Sequence, residues 1–148
     1  MTPSRLPAGA LIPASRATPS ERIADASLAL RRSIDRNVHP SEGLAAGAAA
    51  LSGAYRAEGA SALGDARSAE AYAAIRMPAT FAAAARALAA AAERLPGFSP
   101  ASLLDLGAGP GATSWAATVV WPTIGTVVAV EGRRSALDLG RRLAEDRD

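Results

Sequence analysis

The sequence predicts an α/β chain: an N-terminal helical region, followed by the strand–helix–strand–helix opening of a parallel, doubly wound sheet. Three observations carry that reading. Apolar residues ahead of position 96 recur at helical spacing, with Phe81, Ala85, Leu88, Ala92 and Leu95 separated by 4, 3, 4 and 3. After position 100 the pattern changes to two short apolar runs, 101–106 and 126–130, each followed by a helix-like segment. Between the first run and its helix lies Gly107-Ala108-Gly109-Pro110-Gly111, a glycine-rich turn where a parallel sheet would bind a ligand.

Taken in order, residues 1–17 are rich in Pro, Ala and Ser and read as a flexible lead-in. Thr18-Pro19-Ser20-Glu21 is a capping box with proline at the first helical position, opening a helix to about Arg36 with Ile23, Leu30 and Ile34 on one side. Pro40 and Glu42 open a second helix, mostly alanine, ending near Gly59. Asp65 caps a third, carrying Tyr72, Ile75 and Arg76. Pro78 stops or kinks it and starts a fourth, which Pro96-Gly97 ends. The helical region is thus 18–97, and the α/β part 98–148. In the latter, 101–106 is a strand, 111–120 a helix ending before Trp121-Pro122, and 126–130 a β-branched strand. Ser135 onward, with Leu137, Leu139 and Leu143, is an amphipathic helix.

Composition narrows the chemistry. Of 148 residues 49% are hydrophobic, but 39 of those are alanine, so large core-forming side chains are few. There is no lysine: sixteen arginines against fourteen acids give a net charge of +2, too small to argue for a nucleic-acid protein by itself. Zero cysteines exclude disulfides, thiolate metal sites and cysteine nucleophiles in this chain, and a lone His39 leaves a histidine metal site or triad without partners. No metal is therefore expected. Residues 6–14 are apolar but interrupted by Pro7 and Pro13, a poor secretory signal, and no apolar run is long enough for a bilayer. A cytoplasmic location is expected.

The chemistry sits in Asp105-Leu106-Gly107-Ala108-Gly109-Pro110-Gly111-Ala112-Thr113. The glycines let the backbone turn sharply and approach a ligand, and the helix behind them offers N–H groups and a positive dipole end. Glu131 ends the next strand, 20 residues after Gly111, where a carboxylate can accept from both hydroxyls of a ribose. Two cofactors compete for this arrangement. Gly107-x-Gly109-x-x-Ala112 satisfies the loose NAD(P)-type dinucleotide fingerprint. Asp105 argues the other way: a carboxylate repels a pyrophosphate but suits the ammonium of S-adenosylmethionine. A structural turn without ligand is the plainest alternative. Thr113 either bonds the cofactor carboxylate or its own backbone.

Asp105-x-Gly107-x-Gly109-Pro110-Gly111 followed by an acidic strand end resembles motif I and its partner in class I methyltransferases. A more specific resemblance spans about 50–145. It is carried by Tyr72-Ala-Ala-Ile-Arg76-Met77-Pro78-Ala79-Thr80-Phe81, by Pro96-Gly-Phe98-Ser-Pro100 running into the glycine turn, and by Trp115-Ala-Ala and Trp121-Pro122. Together these resemble the Rsm-type methyltransferase-like proteins associated with the small ribosomal subunit, in bacteria and as mitochondrial ribosome assembly factors. The resemblance implies the opening βαβα of a Rossmann-like class I fold, S-adenosyl-L-methionine as cofactor, and small-subunit ribosomal RNA as partner. It implies either methylation or an assembly role without catalysis. Asp105, Gly107, Ala108, Gly109, Gly111, Thr113 and Glu131 would hold the cofactor: Asp105 its amino group, the glycines its methionine part, Glu131 its ribose. No catalytic base is assigned, because methyl transfer needs mainly alignment.

Only the first two of the seven strands of that fold are present, and relatives carry a cysteine-rich iron–sulfur region this chain lacks. A truncated form of a protein roughly twice this length is expected, inactive as it stands and with one edge of its first strand unpaired. Its oligomeric state is undetermined. Other polar and aromatic residues have structural readings. Trp115 and Trp121 read as core rather than base-stacking, and Tyr72 with Arg76 as packing of the helical cap rather than an RNA surface. His39 reads as a loop residue. The arginine pairs 31–32, 133–134 and 141–142 read as solvated faces rather than phosphate contacts.

Overall fold

The computed structural model describes residues 4–7, 17–38 and 66–146. The second helix expected over 40–59, His39 and the Asp65 cap lie outside the described residues. The described chain is α/β. Strand β1 (Ser4–Pro7) precedes helices α1 (Pro19–Asn37), α2 (Ala66–Ile75) and α3 (Met77–Arg94). Then come β2 (Ser102–Leu106), α4 (Ala112–Val120), β3 (Thr126–Val130) and α5 (Arg134–Glu145).

The N-terminus of α1 forms as its sequence dictates. The Thr18 N–H donates to Glu21 Oε2 at 2.7 Å, and the Glu21 N–H donates to Thr18 Oγ1 at 3.3 Å, with Pro19 in the first turn. The Thr18 N–H bond foremost, and second the Thr18 hydroxyl donating to Glu21 Oε2 at 2.8 Å, hold the Glu21 carboxyl below its ordinary pKa. Ala26, Leu30 and Ile34 then fall on one buried stripe, with Ile23 partly buried beside it. Between α2 and α3 the chain breaks at Arg76 rather than running through. Pro78 sits in the first turn of α3, where its missing N–H costs nothing.

The expected apolar face of α3 is buried only in its first half. Phe81 and Ala85 are fully buried, Leu88 and Ala92 are half-buried, and Leu95 is exposed. The reason is length. The helix of 18 residues packs against α4, which has 9, so its final turns run past their partner.

One core joins all five described helices. Leu30 and Ile34, Ala69 and Ala73, Met77 and Phe81, Trp115 and Val119, and Leu139 and Leu143 belong to it. Trp115 is core, as its helical position suggested, while half-buried Trp121 stacks edge-to-face on Phe98 at 5.5 Å. The C-terminal ends of α1 and α5 are clasped. Ser33 Oγ donates to the Leu143 carbonyl at 3.0 Å, Asn37 Nδ2 to Asp146 Oδ2 at 3.0 Å, and Arg36 Nε to Asp146 Oδ2 at 2.5 Å.

Strands β2 and β3 are parallel, in register from Ser102 opposite Thr126 to Leu106 opposite Val130, with α4 as the crossover. The sheet also holds a strand that the composition of 1–17 did not suggest. β1 pairs antiparallel with β3, Ser4 opposite Ala129 through Pro7 opposite Thr126. Two prolines hide such a strand from pattern reading, yet Pro7 is tolerated at a strand end and β1 takes an edge position. The order β1-β3-β2 leaves β2 with one neighbour among the described residues. One sheet face carries Leu103 and Val127 against Ala117, Ile124 and Trp121. The other carries Leu104 and Leu106, 60% and 71% exposed.

Candidate functional site

The site lies where β2 and β3 end side by side, beyond the carboxyl ends of two parallel strands. Leaving β2, the Gly107 N–H donates to the Val130 carbonyl at 2.7 Å and the Ala108 N–H to the same oxygen at 3.2 Å. The turn is therefore stitched to the end of β3 before it reverses into α4. Gly107, Gly109 and Gly111 have φ of 73°, 53° and 91°, the left-handed region that side chains disfavour. Gly111 stands at the N-cap of α4, its N–H donating to the Ala108 carbonyl at 2.9 Å. Pro110 is fully buried beneath the turn.

Two carboxylates flank this loop. Half-buried Asp105, on β2, accepts at Oδ2 from Ser114 Oγ at 2.6 Å. Half-buried Glu131, just past β3, accepts at Oε2 from the Gly109 N–H at 3.1 Å and at Oε1 from the Arg133 N–H at 2.9 Å. Asp105, Gly107, Ala108, Gly109, Gly111 and Glu131 are thus drawn together around one turn. Thr113 is exposed at the second position of α4. Each ionised carboxylate has about four lone-pair positions, so Asp105 and Glu131 retain acceptor capacity for a ligand. The loop also has room: a Cβ built on Gly107 meets nothing within 4 Å, so its glycine answers to the backbone angle rather than to crowding.

Two residues that pattern reading passed over shape the site. Ser114 is 3% exposed and aims its hydroxyl at Asp105. A serine in the first turn of a helix ordinarily signals capping, so its sequence position concealed this longer reach. Gly140, in the middle of α5, brings that helix onto the loop: a Cβ there would lie 2.9 Å from the Pro110 carbonyl oxygen. A glycine inside a helical pattern was the available signal, since it needs a packing or functional reason.

The sequence model of the family described as "mitochondrial small ribosomal subunit Rsm22" matches residues 66–148, more than half of the chain. The chain belongs to the Rsm22 family. The match takes in α2, α3 and the whole glycine-turn region, so the site just described lies within the Rsm22 part of the chain. It also takes in the Arg76-Met77-Pro78-Ala79-Thr80 element. There the Tyr72 hydroxyl donates to Thr80 Oγ1 at 3.3 Å and the Thr80 hydroxyl donates to the Arg76 carbonyl at 3.1 Å, pinning the α2–α3 break. No curated protein and no solved structure matches the chain.

Arg31, Arg32, Arg133, Arg134 and Arg142 are exposed, and Asp138 pairs with Arg141 at 3.1 Å and Arg134 at 3.6 Å. Among the described residues no group of three or more His, Cys, Asp or Glu could hold a metal ion. None of the described helices is long and apolar enough to cross a membrane.

Proposed function

We propose that residues 98–148 form the opening βαβα of a Rossmann-like class I methyltransferase domain that binds S-adenosyl-L-methionine and acts with the small ribosomal subunit and its RNA. The observation that carries this is the pair of carboxylates on either side of the glycine turn, Asp105 held by Ser114 and Glu131 held by Gly109 and Arg133. A dinucleotide would bring its pyrophosphate to the N-terminus of α4, beside the Asp105 carboxylate, and like charges there repel. An ammonium beside Asp105 and a ribose beside Glu131 are attracted instead. The bound cofactor supplies a methyl group on a sulfonium. The chain's part is to orient it: Gly107, Gly109 and Gly111 let backbone approach the methionine portion, while Asp105 and Glu131 anchor the two ends.

Equilibrium dialysis with labelled S-adenosylmethionine tests this reading. Saturable uptake displaced by S-adenosylhomocysteine but not by NADH supports it; displacement by NADH alone favours a dinucleotide module, and no uptake refutes cofactor binding. The family description, which names a ribosomal subunit and no enzyme, favours a second reading in which the fold serves assembly without catalysis. Methyl transfer to small-subunit particles separates the two. Incorporation supports the enzyme, whereas defective particle maturation on deletion, without incorporation, supports assembly.

A further inference from the structure

The proposed function gives Asp105 an ammonium to bind, and the structure shows what holds its carboxylate ready. Helix α4 carries two buried hydroxyls besides exposed Thr113, and they behave differently. Thr118 spends its proton within the helix, its Oγ1 lying 3.1 Å from the Ser114 carbonyl and 3.0 Å from the Trp115 carbonyl. Ser114, one turn earlier, reaches off the helix to Asp105 Oδ2 at 2.6 Å, the short range of a hydroxyl donating to a carboxylate. Ser114 is 3% exposed while Asp105 is half-buried, so the donor is fixed by packing and the acceptor stays partly open. Ser114 engages Oδ2 of Asp105, and a carboxylate bonded at one oxygen keeps acceptor capacity at the other.

Resting on the cofactor reading above, we infer that Ser114 is a positioning residue that sets the Asp105 carboxylate and thereby makes the site select ligands with an ammonium group. Asp105 can rotate about two side-chain bonds, and an unrestrained carboxylate at the edge of the loop would be spread over several orientations. The Ser114 bond removes that freedom before the ligand arrives, which raises affinity for a ligand whose cation meets the carboxylate and does nothing for one without it. Ser114 touches no part of such a ligand; its effect passes through Asp105.

Two probes separate this role from simple structural support. S-adenosylhomocysteine carries the amino-acid ammonium, and 5′-methylthioadenosine lacks it while keeping the ribose and base. Calorimetric titration of the 148-residue chain is expected to show Ser114→Ala weakening S-adenosylhomocysteine about three- to tenfold, the cost of ordering one side chain on binding, with methylthioadenosine unchanged. In an Asp105→Asn background the same change should add little, because the pair acts as one unit. Equal loss of both probes, or loss of neither, overturns the positioning role while leaving the cofactor reading intact. Failure of the unaltered chain to bind either probe overturns the cofactor reading and this inference with it. Alanine is a better helix former than serine, and the melting curve of Ser114→Ala checks that the helix is retained.

Discussion

Gly140→Ala opposes two well-defined effects, and the structure decides their balance. In the middle of a free helix the substitution would stabilise by about 1 kcal/mol, because alanine loses less backbone entropy than glycine. On α5 the new Cβ would stand 2.9 Å from the Pro110 carbonyl oxygen, 3.1 Å from its carbon and 3.2 Å from its Cα. All three are backbone atoms of a fully buried residue, so no side-chain rotation can relieve them. Carbon–oxygen contacts relax at about 3.3–3.6 Å, so helix and loop must part by roughly 0.5 Å. Overpacking of this kind costs about 1–3 kcal/mol, which leaves a net loss of about 1 kcal/mol after the helix gain. In a chain of this size that lowers Tm by about 3–5 °C. Thermal unfolding followed by far-ultraviolet circular dichroism measures it. Gly97→Ala is the comparison, since a Cβ there meets nothing within 4 Å and should leave Tm unchanged or slightly higher. A Gly140→Ala variant as stable as the unaltered chain, or more so, would refute the close contact between α5 and the glycine turn.

Other consequences follow from the same contacts. Phe81→Ala empties a fully buried position in the shared core and should cost about 3–5 kcal/mol in denaturant unfolding, among the largest single-residue losses in the chain. Arg36→Ala and Asp146→Ala in a double-mutant cycle should couple by less than about 1 kcal/mol and lose that in high salt, because both side chains are more than a third exposed. Glu21 has a folded pKa below its unfolded one, so its contribution to α1 is present above the unfolded value and is lost as pH falls through the folded value. Acid titration of stability should therefore show a smaller step in Thr18→Ala, which removes the hydroxyl that bonds the Glu21 carboxylate at 2.8 Å but keeps the backbone N–H bond that is the larger cause.

The legible parts of the fold were those governed by local rules. The capping box at Thr18, the break before Pro78 and both parallel strands rest on near neighbours in sequence, and each stands within a residue or two of its expected bounds. What escaped pattern reading depends on partners far along the chain. Ser4–Pro7 becomes a strand because the outer edge of β3 accepts it, and the exposure of Leu95 follows from the short length of α4. The candidate site divides in the same way. Glycine turns and acidic residues at strand ends are visible as residue types, so Asp105, the glycine turn and Glu131 could be named as candidates, and the structure brings them together. The burial of Ser114 and the approach of Gly140 to Pro110 are facts of packing, which no single residue announces.

Glu131 and Asp105 frame the proposed site for S-adenosylmethionine at the glycine turn. Calorimetric titration of S-adenosylhomocysteine into the unaltered chain and into Glu131→Ala addresses it most directly. One-to-one binding, weakened at least about tenfold by loss of the carboxylate, is the predicted result. Binding of equal strength to both proteins would contradict the role given to Glu131, and absence of binding to the unaltered chain would contradict the site itself.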